Sequence, residues 1–372
     1  FVAAVVERDE NGEAYLPIYY KSRIYIDFCE PDNYADCFEK LLRWIYDKPL
    51  YKRPPLGNKP SFLEEKDDIT LGTSFLFKRV LTGLKESKSY VNGAIEEYLT
   101  TFSSNIEQFK IESEPEKYDD ELVEKIEAFI PYRNEFIQIC ISLCQYSEDV
   151  KIDKFHRFFE TLIPYFKHRG NGRFYEHDSD VFKFIVYELF LYYVAILLKY
   201  ERFAELDEFL DREYMNNEDS YGSEVEGYLM FYNYLKSLEY RNERLRCQKL
   251  SLFSSMIRDR AKHSNIDFLY LMQADFVLFL RAEHLYANNW RRWWPQTLIY
   301  AEYTRKPLEI FFRAQSKKYF EKMKCVIGFD NEMELKSFIE EYYTNKRDIP
   351  RWQHCSFSPK GLANTNNLCI KK

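Results

Sequence analysis

The spacing of apolar residues changes along the chain, and each change marks a different kind of structure. A continuous apolar run over residues 1–6 is followed by the polar turn "RDENGEAYLP" and a second β-rich run at 23–28, each short enough for a strand. The period then becomes helical over 34–46, where Phe38, Leu41, Leu42 and Ile45 fall on one face. Strand, strand and helix in that order predict the tail of an α/β domain. The following "DKPLYKRPPLGNKPSF" holds Pro49, Pro54, Pro55, Pro60 and Gly57, so the helix stops and an extended linker closes a first domain of residues 1–60.

From 61 to 264 the pattern is helical almost throughout, with segments predicted near 63–88, 90–110, 119–147, 151–168, 178–200, 202–214, 221–240 and 242–263. Ser89, the acidic stretch 112–121, Pro164, "HRGNGRF" and "NNEDSYGSE" mark the joints. No period of about 34 or 40 residues recurs, which argues for a bundle or irregular array over a solenoid. A third region, 265–372, opens with "ADFVLFLRA", "TLIYAEY" and "LEIFFRA", short runs that fit either strands of a small sheet or further helix, and a helix is predicted at 315–326. The fold class is mostly α. A flavodoxin-like remnant leads into a large helical domain, and the C-terminal module is helical or a small α/β unit.

Composition agrees with packed helical modules: 31 Tyr and 31 Phe stand against only 11 Gly and 13 Pro. The net charge of −7 excludes a global positive field for nucleic acid and leaves only local basic patches. Eight cysteines lie without a CxxC pair, Cys140 and Cys144 being closest, which predicts reduced, packed thiols in a cytosol. The run "VFKFIVYELFLYYVAILLKY" is interrupted by Lys183 and Glu188, short of the about 20 apolar residues of a spanning helix, so a buried core helix is predicted and no membrane partner. No GxGxxG, GxxxxGK[ST], HExxH or GxSxG occurs, the six histidines stand singly, and no metal is expected.

One local constellation carries chemistry. Trp290, Arg291, Arg292, Trp293 and Trp294 place positive charge beside stacking faces, the two components of nucleotide or single-strand binding. The alternative is tryptophans packed beneath a loop with the arginines reaching outward.

The phrase "FVAAVVERDENGEAYLPIYYKSRIYIDF", followed by "YADCFEKLLRWIY" and "KPLYKRPPLGNKPSF", resembles the C-terminal portion of bacterial Toll/interleukin-1 receptor (TIR) domains. The resemblance implies that 1–6 is the fourth strand, 23–28 the fifth and 34–46 the last helix of a flavodoxin-like domain. It also implies an enzyme that hydrolyses or cyclises NAD+ with a glutamate on an earlier helix. That glutamate would lie before Phe1, so no catalytic residue and no cofactor is assigned in this chain, and NAD+ is the expected substrate. Such sites are completed between neighbouring domains, which implies a homo-oligomer. Residues 61–372, including "WWPQTLIYAEY" and "FFRAQSKKYFEKMK", resemble regions that follow TIR domains in bacterial defence proteins. They would act as a cytoplasmic sensor or assembly module answering a phage-derived, nucleotide or nucleic-acid trigger. The competing expectation is a non-enzymatic TIR-like adaptor or interaction protein that uses the TIR-like part only for docking and binds a partner, nucleic acid or nucleotide among the candidates, through its helical region and C-terminal module.

Overall fold

The first two strands run parallel. In the computed structural model, which describes residues 3–10, 12–17, 25–29, 33–46, 48, 71–111, 118–167, 178–216, 224–287, 291–303, 306–344 and 346–371, β1 (Ala3–Val5) pairs with β2 (Tyr25–Asp27) in the register Ala3 to Tyr25, Ala4 to Ile26 and Val5 to Asp27. Helix α1 (Tyr34–Ile45) follows, as the change of period predicts. The Cys37 thiol donates to the Asp27 carbonyl at 3.0 Å, and Arg8 donates to the Asp27 carboxylate at 2.6 Å. Cys37 is the one buried residue of α1. Phe38 is 45% exposed and Ile45 58%, so the apolar face read from the sequence points into solvent. The expected proline-rich linker lies outside the described residues. The chain divides at Ile69 and Thr70 into two compact units.

The second unit is helical: α2 (Ser74–Lys85), α3 (Val91–Asn105), α4 (Tyr118–Ala128), α5 (Ile130–Tyr146), α6 (Ile152–Phe166), α7 (Asp180–Lys199) and α8 (Phe203–Asp211). An antiparallel pair, β3 (Tyr214–Asn216) with β4 (Glu224–Glu226), leads to α9 (Lys236–Arg244), α10 (Leu252–Ala261) and α11 (Phe268–Leu285). The chain ends with α12 (Glu309–Arg313), α13 (Lys317–Ile327), α14 (Glu332–Glu341), the antiparallel pair β5 (Arg351–Trp352) and β6 (Cys355–Ser356), and α15 (Pro359–Leu362). Helix α7 is the axis of this unit. It packs on α4, α5, α6, α8 and α11, so its apolar residues meet side chains in every direction. It is long and apolar enough to cross a membrane, yet 94% of its most apolar window is buried inside the protein.

Several expected boundaries move. The helix expected at 119–147 breaks into α4 and α5 because Pro131 sits in the first turn of α5, where its missing N–H leaves no bond unmade. The helix expected at 202–214 stops at Asp211, and Tyr214 enters β3. The segments expected at 221–240 and 242–263 are cut short by β4 and by a turn ending at Ser251, whose side chain accepts from the Ser254 N–H and caps α10.

The three runs that fitted strands are helical. "ADFVLFLRA" lies inside α11, which Asp267 caps by accepting from the Leu269 N–H. "TLIYAEY" lies in a 3-10 segment, Gln296–Tyr303, and "LEIFFRA" contains α12. Burial on all sides removes the polar alternation that separates helix from strand. Sheet in this region is confined to the two-residue β5–β6 pair among the described residues. No division between units falls at 264/265. Arg281 of α11 ties the C-terminal helices inward, donating to the Cys325 and Val326 carbonyls at 2.7 and 2.9 Å. Helix α13 ends at Gly328, whose φ of 76° is left-handed and whose Cβ position would lie 2.9 Å from Leu285.

Candidate functional site

The described residues of the tryptophan–arginine stretch, 291–294, do not form an open stacking platform. Trp293 is 1% exposed, and its ring stacks on Tyr187 with centroids 5.6 Å apart. Its indole N–H donates to Asp275 Oδ1 at 2.6 Å, which satisfies inside the protein the one polar atom of the ring. Trp294 is half-buried and meets Trp352 edge-on at 5.6 Å. Arg291 lies 3.4 Å from Glu226, and Arg292, mostly exposed, lies 3.9 Å from Glu283. Trp290 lies outside the described residues. The four described side chains therefore serve different surroundings: burial of Trp293 withdraws the central ring, and acidic neighbours offset both guanidiniums.

Burial of Trp293 exposes a residue that sequence reasoning passed over. Asp275 on α11 is fully buried and accepts from Trp293 Nε1, the Thr297 N–H at 2.7 Å, the Thr297 hydroxyl at 2.8 Å and the Tyr187 hydroxyl at 3.3 Å. Burial pushes its carboxyl up to about 6, against those four donors, which favour the charged form. The signal was a lone acid inside the apolar run "ADFVLFLRA".

A second buried acid, Glu188, is one of the two charges that interrupt α7 in sequence. Its carboxylate accepts from Arg133 of α5 at 3.0 Å and from Arg260 of α10 at 2.9 and 2.6 Å. Burial alone would raise its pKa, but the two guanidiniums outweigh it and hold the group below the usual carboxylate range. Arg260 also donates to the Ile126 carbonyl at 2.9 Å, and Arg133 to the Arg260 carbonyl at 3.2 Å. These donors are spent on the protein, so the triad fastens α5, α7 and α10 together and offers nothing to a ligand. The other interruption, Lys183, pairs with Asp180 at 2.8 Å.

Nucleophile and metal chemistry find little support elsewhere. Cys140 and Cys144 are buried in α5, and burial pushes both thiols up, that of Cys144 to about 12, away from the reactive thiolate. Among the described residues no three His, Cys, Asp or Glu side chains converge to hold a metal. A cavity of about 550 Å3 opens at the start of α11, lined by Leu269, Tyr270, Gln273, Lys306, Leu308 and Phe312 among others. No motif signalled it, because its walls come from two segments more than thirty residues apart in the chain.

Compared with protein-family models, curated proteins and solved structures, the chain matches none of them.

Proposed function

We propose that residues 1–46 are the edge of a TIR-like α/β domain that cleaves NAD+, and that the helical unit senses a trigger or drives assembly in a cytoplasmic defence effector. The observation that carries the reading is the parallel register of β1 and β2. Parallel strands occur almost only in sheets covered on both faces by helices, and two strands of three residues are marginal alone. A helix follows directly, with its apolar face uncovered, as expected for the last layer of a larger sheet. The order matches the fourth strand, fifth strand and final helix implied by the sequence resemblance.

Cleavage of the nicotinamide–ribose bond passes through an oxocarbenium-like centre that a preorganised carboxylate stabilises. Asp27 is not free for that task. It accepts from Arg8 at 2.6 Å and from the Cys29 N–H at 3.0 Å, and these bonds, that to the Cys29 N–H foremost, hold it below its ordinary range. The reading therefore places the catalytic glutamate on a helix other than α1, as the resemblance implies. Assembly into a homo-oligomer would complete the site, with the helical unit setting when that happens. The eight cysteines form no disulfide, which suits a reducing compartment.

The test is nicotinamide release from NAD+ by the 372-residue chain and by the complete product of its gene, at equal concentration and with and without forced clustering. Release is expected from the clustered complete product only. Turnover by the 372-residue chain overturns the placement of the glutamate, and silence of the clustered complete product overturns the enzymatic reading in favour of a docking role.

A further inference from the structure

The cavity at the start of α11 has a volume of about 550 Å3, within the range of small-molecule sites. Leu269 and Phe312 stand at its mouth, 52% and 56% exposed, an unfavourable placement for large apolar side chains with nothing against them. Leu308 forms a buried wall.

Polar groups around the cavity divide into spent and unspent. The Asp267 carboxylate caps α11 through the Leu269 N–H at 2.8 Å, and Glu309 is held by Arg313 at 2.6 and 3.0 Å. Gln273, 1% exposed on the floor, accepts the Ile310 N–H through Oε1 at 2.9 Å, and that donor fixes which end of the amide is oxygen. Its Nε2 is then a buried donor with no partner among the described residues. Lys306 is exposed at the rim and enters no ion pair among the described residues. Both acids are thus engaged, while an amide donor on the floor and an ammonium at the mouth are not. A buried donor left unmade is rare in folded proteins and marks a place where a partner belongs.

We propose that this cavity binds a small amphipathic anion, with its oxyanion head against Lys306, an aliphatic or aromatic body against Leu269, Leu308 and Phe312, and an acceptor oxygen at its far end toward Gln273. The assignment is independent of the NAD+ reading of the first unit. A sensor module with an open apolar cleft would report on a metabolite of this kind, but the site stands on its own geometry.

The experiment uses the 372-residue chain with 8-anilinonaphthalene-1-sulfonate as fluorescent probe and octanol, octanoate and 7-oxooctanoate as competitors. Saturable binding of about one probe per chain is expected. Octanoate should displace it about tenfold better than octanol, as one charge-assisted contact would provide, and 7-oxooctanoate better again. Lys306→Gln should abolish the difference between octanoate and octanol, and Phe312→Ser should weaken all three competitors together. Both side chains are exposed, so the thermal melt should not move. Equal competition by octanol and octanoate, insensitivity to either substitution, or no gain from the 7-oxo group overturns the proposal.

Discussion

Helices α1 and α7 are built from similar residues and end in opposite situations. Both are dense in aromatic and aliphatic side chains, yet α1 buries only Cys37 while α7 buries residues 180–198 except Lys183. Around α7 the interior is complete: every direction is filled, and the buried acids Glu188 and Asp275 each have their donors. Around α1 the apolar face is open, and among the described residues β1 and β2 pair only with each other. Amphipathic pattern alone sets which way a helix wants to face; whether that face is covered depends on neighbours supplied from elsewhere. One region is a filled core, and the other leaves most of its apolar face uncovered among the described residues.

The largest effect should come from unbalancing the finished core. Replacing Glu188→Gln leaves Arg133 buried without its counter-charge and Arg260 with only the half-exposed Glu127 at 3.3 Å, which should cost about 3–5 kcal/mol. Urea unfolding followed by far-ultraviolet circular dichroism measures it, and a loss below about 1 kcal/mol would show that the triad does not fasten the three helices.

Asp275 should give a smaller and pH-dependent effect. Its ordinary value is 3.8 and burial takes it to about 6, so the folded protein binds this proton more tightly than the unfolded chain. Its contribution is therefore full below about 3.8 and is lost as pH rises through 6, a change of about 3 kcal/mol for the group alone. The stability margin of the parent over Asp275→Asn should shrink between pH 4.5 and 7.5. A margin that grows over that interval would mean that the four donors, and not burial, dominate the site.

The smallest effect belongs to α1. Phe38→Ser should change the protection of residues 33–46 in hydrogen exchange by no more than about 0.5 kcal/mol, because the ring is already 45% exposed and packs only loosely on Tyr34 at 6.3 Å. Loss of protection across α1 would show that this face is covered and would break the contrast with α7.

Much of the fold was legible where one period dominates. The change from strand to helix in residues 1–46 and the core helix at 181–200 both follow from spacing, and Glu188 was visible as a charge interrupting that helix, though not its partners. The C-terminal runs were ambiguous because α11 is buried on all sides, and uniform burial erases the alternation that distinguishes strand from helix. The tryptophan–arginine stretch was legible as unusual chemistry, but its sequence says nothing of Asp275, fifteen or more residues away, which turns Trp293 inward. The Gln273 cavity was invisible for a related reason. It exists only because the capping of α12 by a side chain of α11 brings two distant segments together.

The burial of α7 has a consequence in time. Synthesis delivers this bilayer-length helix well before α10 and α11, which bring Arg260 and much of its apolar covering. At about 5–20 residues per second, a ribosome needs several seconds to extend the chain from Lys199 to Leu285. Until Arg260 is made, Glu188 lacks one of its two guanidiniums, and until α11 is complete the apolar residues of α7 wait for part of their covering. A nascent chain of this order depends on being shielded during translation, so its yield should respond to the supply of chaperones more than the stability of the finished molecule would suggest.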